Sequence, residues 1–371
     1  MAEFSASDQL FMAQALELAA KGQYSAKPNP CVGCVIVKDG QVVGQGWHRQ
    51  AGEPHAEVHA LAEAADSARG ATAYVTLEPC SHHGRTPPCA DALLKAGLAR
   101  VVVAMQDPNP LVSGQGVERL RKAGVEVAVG LLQQQAEVLN EAFCHKMISG
   151  KPLIIGKVAM SLDAKTAMAS GESQWITGAE SRQDVHRLRA RSDLIITGIA
   201  TVLADDPRLT ARDGLAGLAV KHARIVVLDS QLRMPLDAAL LTTDTEVTVL
   251  TSCADESKIQ ALGAAGCQVV VLSSDDDGRV DLAAVNAWLS EQAINSVMLE
   301  AGAVLNGALL KAGLLDELVV YMAPSVLGVD ARSAFDIAGI DRLADKVQLA
   351  LLTVDVLGQD IKLKYKIKRE S

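Results

Sequence analysis

Aromatic residues are scarce in this chain. They make up 3% of its 371 residues against a hydrophobic share of 49%, so its cores must be aliphatic, built from Val, Leu, Ile and Ala. No segment approaches the roughly 18–20 uninterrupted apolar residues that span a bilayer, which excludes a helical membrane protein. The first residues, MAEFSASDQLFMAQALELAAKG, have neither a basic stretch nor a uniform apolar one and read instead as an amphipathic helix. Nothing there directs export, and a cytoplasmic location is expected. Positive charge is in deficit: 35 Lys and Arg against 44 Asp and Glu give a net charge of −9, which argues against a nucleic-acid partner. The expected partners are small molecules, and a homo-oligomer is compatible with the sequence. Cysteines number seven. In a reducing compartment such thiols are more often metal ligands or inert buried groups than disulfides. No G-x-G-x-x-G follows a first strand, so an ordinary dinucleotide-binding domain is unsupported.

What is present is an alternation of strand and helix patterns. The length suggests two domains, or three. In the first, a helix over about Asp8–Ala20 precedes the apolar runs CVGCVIV and QVVGQGW, and the Asp39–Gly40 pair between them signals a hairpin. A helix over about Pro54–Ala65, a strand ATAYVTL, a helix starting near Cys89, a strand RVVVAM, a helix before Gly124 and a strand VEVAVG follow. This order predicts a three-layer α/β domain. The pattern breaks between Phe143 and Leu153, in a polar stretch punctuated by Gly150 and Pro152. The domains are therefore placed at residues 1–150 and 151–371. The second opens on LIIGKVAM, continues with a helix capped within Thr177–Glu180 and strands DLIIT, ARIVVLD, EVTVLT, CQVVVL and INSVMLE, and closes on two antiparallel strands.

The chemistry concentrates in two windows, GEPHAEVHALAEAA and VTLEPCSHHGRTPPC. A zinc site that activates water uses three protein ligands and leaves its fourth position open, and His55, Cys80 and Cys89 make three. Cys89 follows Pro88 at a helix start, where unpaired amides and the helix dipole favour a thiolate, and His55 likewise follows Pro54 at the start of a helix. Glu57 supplies what a purely structural zinc site would not need: a carboxylate able to take a proton from water and pass it to a ring nitrogen and a leaving amine. The pattern H-x-E…P-C-x-x-C marks zinc deaminases acting on nucleobases; here the second half reads P-C-x₈-C. The longer spacer brings Arg85 and Thr86 beside the metal as contacts for a sugar or phosphate. His59, four residues after His55, is an alternative ligand, though the three-ligand set is complete without it. His82 and His83 read as loop residues near the substrate. Cys31 and Cys34 read as buried or substrate-side thiols, and Cys144, Cys253 and Cys267 as inert. Asn29 in PNP is a candidate hydrogen-bonding partner for a pyrimidine, with a turn-forming role as the alternative. In the second half, EAGAVLNGALL sets small residues between a strand end and a helix, an arrangement that suits a phosphate but that a tight turn at Gly302 explains equally.

KPNPCVGCVIVKDG, GEPHAEVHAL, TLEPCSHHGRTPPC and MQDPNP together resemble the deaminase half of the bifunctional riboflavin-biosynthesis deaminase/reductases. KVAMSLDAKTAMASGESQWITG, TVLADDPRLTAR, RIVVLDS and EAGAVLNGALLKAGLLDELVVYMAP resemble the reductase half, whose fold is similar to dihydrofolate reductase. The resemblance implies a cytidine-deaminase-like αβα domain followed by that α/β fold. It implies zinc and NADPH as cofactors, deamination of 2,5-diamino-6-(5-phosphoribosylamino)pyrimidin-4(3H)-one, and reduction of the ribosyl group to a ribityl chain. It further implies NADPH contacts at Ala159, Trp175, Thr201, Asp205, Ser230 and the run Gly302, Ala303, Val304, Leu305, Asn306, Gly307, Ala308. Substrate contacts are implied at Ser173, Arg189, Leu209, Arg212 and Glu300, with the two arginines suited to a phosphate and Glu300 to ribose hydroxyls. Ala164 departs from the family's usual glycine in SLDAKTA, which matters if that backbone has φ > 0. A polynucleotide deaminase would need a basic strand channel and the tight P-C-x-x-C, and a non-catalytic zinc scaffold would tolerate Glu57→Gln.

Overall fold

The computed structural model describes residues 4–81, 88–110 and 112–369, so His82, His83, Arg85 and Thr86 lie outside the described residues. The chain divides into two compact units, Met1–Lys151 and Pro152–Ser371.

The first unit runs α1 (Ala6–Ala20), β1 (Gly33–Lys38), β2 (Gln41–Trp47), α2 (Ala56–Ala64), β3 (Thr72–Leu77), α3 (Cys89–Ala96), β4 (Arg100–Met105), α4 (Gln115–Lys122), β5 (Glu126–Val129), α5 (Gln133–Leu139) and α6 (Glu141–Ser149). Its sheet has the order β2-β1-β3-β4-β5. The β1/β2 and β1/β3 pairs are antiparallel, and β3, β4 and β5 are parallel. The Asp39–Gly40 hairpin forms as expected, with both residues at positive φ (50° and 76°), which suits a two-residue turn matched to strand twist. Alternation along the strands feeds two aliphatic cores. Cys34, Ile36, Ala73, Val75, Val101 and Val103 pack with α2, α3 and α4, while Val35, Val37, Tyr74, Val102 and Ala104 pack with α1 and Ala136 of α5. The result is the three-layer arrangement expected. The stretch read as a polar break after Phe143 is helical as far as Ser149, and Gly150 (φ 74°) ends that helix.

The second unit contains β6 (Leu153–Ser161), β7 (Lys165–Ala167), α7 (Ala179–Arg191), β8 (Leu194–Gly198), α8 (Ile199–Asp205), β9 (Arg224–Leu228), β10 (Val247–Thr251), α9 (Glu256–Ala264), β11 (Cys267–Val271), α10 (Leu282–Glu291), β12 (Ser296–Leu299), α11 (Ala303–Lys311), β13 (Glu317–Ala323), β14 (Arg332–Ser333), β15 (Leu349–Leu357) and β16 (Asp360–Ile367). Its main sheet has the order β11-β10-β9-β8-β12-β6-β13-β16-β15, parallel throughout except for the closing pairs β13/β16 and β16/β15. Helices cover both faces. Val185 of α7 and Leu262 of α9 join one core, and Val285, Leu289, Leu309 and Leu310 of α10 and α11 join the other. The cap of α7 differs from the expected Thr177 signal. Gly178 occupies the cap position without a side chain, and the buried Asp360 carboxylate accepts from the Gly178 amide (2.7 Å) and the Ser181 hydroxyl (2.6 Å) in its place. No helix among the described residues is long and apolar enough to cross a membrane.

Candidate functional site

In the first unit, His55 stands at the N-cap of α2, Cys80 three residues beyond the end of β3, and Cys89 at the first residue of α3. One strand end and two helix starts thus converge. The His55 Nδ1 lies 3.2 Å from Cys89 Sγ and 3.7 Å from Cys80 Sγ, and the Cys89 amide donates to Cys80 Sγ at 3.2 Å. All three ligand atoms fall within 4.8 Å of one another, with no carboxylate among them. Metal–ligand bonds of about 2.0–2.3 Å at tetrahedral angles set such atoms roughly 3.5 Å apart, and one imidazole with two sulfurs is a donor set suited to zinc. The residues therefore fit the ion. A hydrogen bond from the Cys89 thiol, helped by His55 and the Cys89 amide against the effect of burial, brings Cys80 down to about 4; Cys89, the donor, is pushed up.

Glu57 sits in the first turn of α2 and is buried, 3% exposed. Its Oε2 has no hydrogen-bond partner among the described residues, an arrangement costly enough to require a reason. Burial pushes its carboxyl up to about 7, with the neighbouring imidazole of His55 opposing. A buried carboxylate with an unpartnered oxygen, two residues from His55, is equipped to take up and return a proton. His59 falls outside the ligand group. Cys34 is fully buried and Cys31 is partly buried, its backbone held by Asn140. Neither belongs to the ligand group.

Sequence reasoning missed His48. The Asn29 Nδ2 donates to its Nε2 (3.0 Å), which leaves Nδ1 to donate to the Pro54 carbonyl (3.3 Å), and its ring meets that of His55 edge-on at 5.4 Å. No motif marks His48; only its place just past β2 brings it to the site.

In the second unit, the positions singled out in the sequence gather at the C-terminal ends of neighbouring parallel strands. Ala159 lies near the end of β6, Thr201 and Asp205 on α8 directly after β8, Ser230 just past β9, and Glu300 with Gly302–Ala308 after β12. In open parallel sheets this edge is where ligands bind. Gly302 caps α11 without a side-chain bond, and a Cβ built there would meet nothing within 4 Å. The helix start is thus clear of neighbouring atoms among the described residues, an arrangement that a phosphate can approach. Gly307 has the opposite reason for being glycine, since a Cβ there would lie 2.0 Å from the Asp336 carbonyl. Asn306 is buried with Oδ1 unpartnered. Ser230 Oγ accepts from the Val280 amide at 3.0 Å. Ser173 is half-buried, and Trp175 is 70% exposed with the Arg182 guanidinium 4.7 Å over its ring.

Arg189 and Glu300, assigned separate roles from the sequence, face each other. Arg189 Nε and one terminal nitrogen both reach the carboxylate at 2.8 Å, and Lys157 Nζ reaches it at 3.2 Å. Burial would raise the Glu300 carboxyl, but Arg189 and Lys157 together hold it well below the usual range. The cluster carries two cations and one anion, a net positive charge. Lys157, the lone charge in LIIGKVAM, carries the signal that a closer reading of that strand would have used. Arg212 is exposed and lines a cavity of about 250 Å³ with Arg208, Thr210, His222 and Thr242–Thr245. Its segment is anchored by the buried His186, which accepts the Arg212 amide at 3.2 Å. Leu209 is buried at positive φ (53°).

Two family profiles match the chain: the cytidine and deoxycytidylate deaminase zinc-binding region over residues 5–105, and the RibD C-terminal domain over residues 152–363. The riboflavin biosynthesis protein RibD of Escherichia coli (strain K12) is 48% identical over 362 residues, covering 95% of this chain and 98% of that protein. That of Bacillus amyloliquefaciens is 44% identical over 359 residues, covering 96% and 95%. Among solved structures, Acinetobacter baumannii RibD superposes with a TM-score of 0.89 at 47% identity, covering 98% of this chain and 99% of that one. A diaminohydroxyphosphoribosylaminopyrimidine deaminase/5-amino-6-(5-phosphoribosylamino)uracil reductase from Thermotoga maritima gives 0.86 at 31% identity, with the same coverage.

Proposed function

The chain belongs to the family of the RibD riboflavin-biosynthesis proteins, and from that membership we infer that it is a bifunctional enzyme. Its first unit hydrolytically deaminates 2,5-diamino-6-(5-phosphoribosylamino)pyrimidin-4(3H)-one, and its second reduces the resulting aminouracil to 5-amino-6-(5-phosphoribitylamino)uracil with NADPH. The observation that carries the first reaction is the convergence of His55, Cys80 and Cys89 beside a buried Glu57 with an unpartnered oxygen.

His55, Cys80 and Cys89 would hold zinc. When bound there, the metal supplies a Lewis acid that brings water's proton loss close to neutral pH. Glu57 takes a proton from the attacking water and passes it to a ring nitrogen as the C–O bond forms, then takes the proton of the new hydroxyl and gives it to the amine as the C–N bond breaks, so that water and amidine become carbonyl and ammonia. Asn29, its amide held by His48, hydrogen-bonds the pyrimidine. In the second unit bound NADPH would supply a hydride to sugar C1, whose bond to the ring oxygen breaks while that oxygen takes a proton, leaving the open ribityl chain. The open start of α11, from Gly302 to Ala308, receives cofactor phosphate, with Ala159, Trp175, Thr201, Asp205 and Ser230 lining its path. Arg212 holds the substrate phosphate. Arg189 and Glu300 act as one unit with Ser173 and Leu209 at the ribosyl group: the arginine orients the carboxylate, and the net positive charge of the cluster attracts the phosphorylated substrate.

We further propose that the protein self-associates through β15. This strand ends the sheet, with no partner on its outer side among the described residues, and exposes Leu351, Leu352, Val354 and Val356 on its two faces. A second copy of the same edge satisfies both the backbone and the apolar side chains.

Ammonia release and NADPH oxidation, measured separately on the two substrates, test the assignment. Glu57→Gln is expected to cut deamination by about 10²–10⁴-fold, the usual range for a lost proton shuttle, while leaving NADPH oxidation by the aminouracil at the parent's rate. Deamination at the parent's rate in that variant would remove the role given to Glu57.

A further inference from the structure

MQDPNP and the helix that follows it are not used by the chemistry above, yet both touch the segment that leads into Cys80. The side chain of Glu78, two residues before Cys80, is buried. Its carboxylate accepts three backbone amides: Asp107 (3.1 Å), Gly114 (2.9 Å) and Val117 (3.1 Å). Gly114 is the N-cap of α4 and offers no side chain of its own, so Glu78 caps that helix from 36 residues away. Negative charge at a helix N-terminus is favourable both as a hydrogen-bond acceptor and against the helix dipole. The docking is tight. A Cβ on Gly116 would lie 1.9 Å from the Pro79 carbonyl, so α4 rests directly on the peptide that leads into Cys80.

One turn along, Arg119 connects α4 to both thiol carriers. One terminal nitrogen donates to the Ser81 carbonyl at 3.2 Å, next to Cys80. Nε and the other terminal nitrogen engage Asp91 at 2.7 and 2.8 Å, two residues into the helix that Cys89 begins. Cys80 and Cys89 are nine positions apart, and α4 ties the backbone beside one to the helix bearing the other.

We propose that Glu78 and Arg119 are positioning residues of the metal site, which set the separation of Cys80 and Cys89 by docking α4 onto both of their carriers. This rests on the zinc reading of His55, Cys80 and Cys89. Groups that orient metal ligands typically change metal affinity by 10–100-fold when removed.

The test follows zinc release from the zinc-loaded full-length protein into excess 4-(2-pyridylazo)resorcinol. Release is expected to be about 10–100-fold faster in Glu78→Gln and about tenfold faster in Arg119→Met. NADPH oxidation should be unchanged in both. Glu118→Gln, which alters an exposed neighbour on the same helix paired to Lys122, should release zinc at the parent's rate. The Arg119 side chain is 44% exposed, so that variant is expected to fold and decides the question alone if Glu78→Gln does not. Its zinc-free form should melt with the parent's; a lowered melting temperature there would mean general loosening and overturn the positioning role. Zinc release at the parent's rate in either variant removes that residue's role while the metal reading stands. A parent that holds no zinc overturns both.

Discussion

At the scale of single residues, the molecule separates side chains chosen for chemistry from those that only support it. Glu57 combines burial with an unpartnered oxygen, whereas Glu78, equally buried, has its carboxylate fully engaged by amides. Ala164 shows a local mismatch of a different kind. It adopts φ 58°, a conformation whose Cβ clash costs roughly 1–2 kcal/mol. Ala164→Gly is therefore expected to stabilise the protein, by about 0.5–1 kcal/mol after the entropy of the more flexible unfolded chain is allowed for. Urea unfolding checks this, and an unchanged or lowered midpoint would count against it. The grouping of His55, Cys80 and Cys89 was legible because spacing and residue type are themselves the chemistry. His48 and Lys157 were not, since their roles depend on which groups the fold sets opposite them: Asn29 and Pro54 for one, Glu300 for the other.

At the scale of elements, local signals were read well and long-range ones poorly. The Asp39–Gly40 hairpin and the run of β strands carry their information within a few residues. The caps of α4 and α7 do not: each is supplied by a distant carboxylate, Glu78 or Asp360, so nothing near either helix start announces it. Helix α1 shows the local case and a distant one together. Ser5 and Asp8 form a reciprocal capping box, and Asp8 also accepts from the Tyr74 hydroxyl on β3 (2.8 Å) and pairs with Arg100 on β4 (2.6 Å). Burial would raise the Asp8 carboxyl, but Arg100, the Ser5 amide and Tyr74 hold it well below its ordinary value of 3.8. A carboxyl depressed in the folded state contributes its stability in full above the unfolded value and loses it as pH falls toward the folded one. Asp8→Asn should thus cost about 2 kcal/mol at pH 7 and much less near pH 2, where the parent has lost most of the same contribution. Urea midpoints at the two pH values check the sign; an equal loss at both would contradict it.

At the scale of the whole molecule, two compact units each carry one of the paired chemistries, and the division follows the chain's own punctuation at Gly150 and Pro152. The order of the nine-stranded sheet was not legible, because a strand's own sequence does not name its neighbours. Nor was the contrast between β16, whose residues are mostly half-buried, and β15, whose residues are mostly exposed. The exposed apolar edge of β15 predicts a concentration-dependent oligomer. Val354→Lys with Val356→Lys should shift sedimentation toward the monomer without altering the zinc content of the first unit. Unchanged sedimentation would leave β15 without the proposed role.

The most direct measurement of the account as a whole is the zinc-to-protein ratio of the purified parent and of a Cys80→Ala, Cys89→Ala double variant. One zinc per chain in the parent and next to none in the variant, with NADPH oxidation by the aminouracil intact in both, is the predicted result. A variant that kept its full zinc would place the metal elsewhere and contradict the site from which the deaminase chemistry was built.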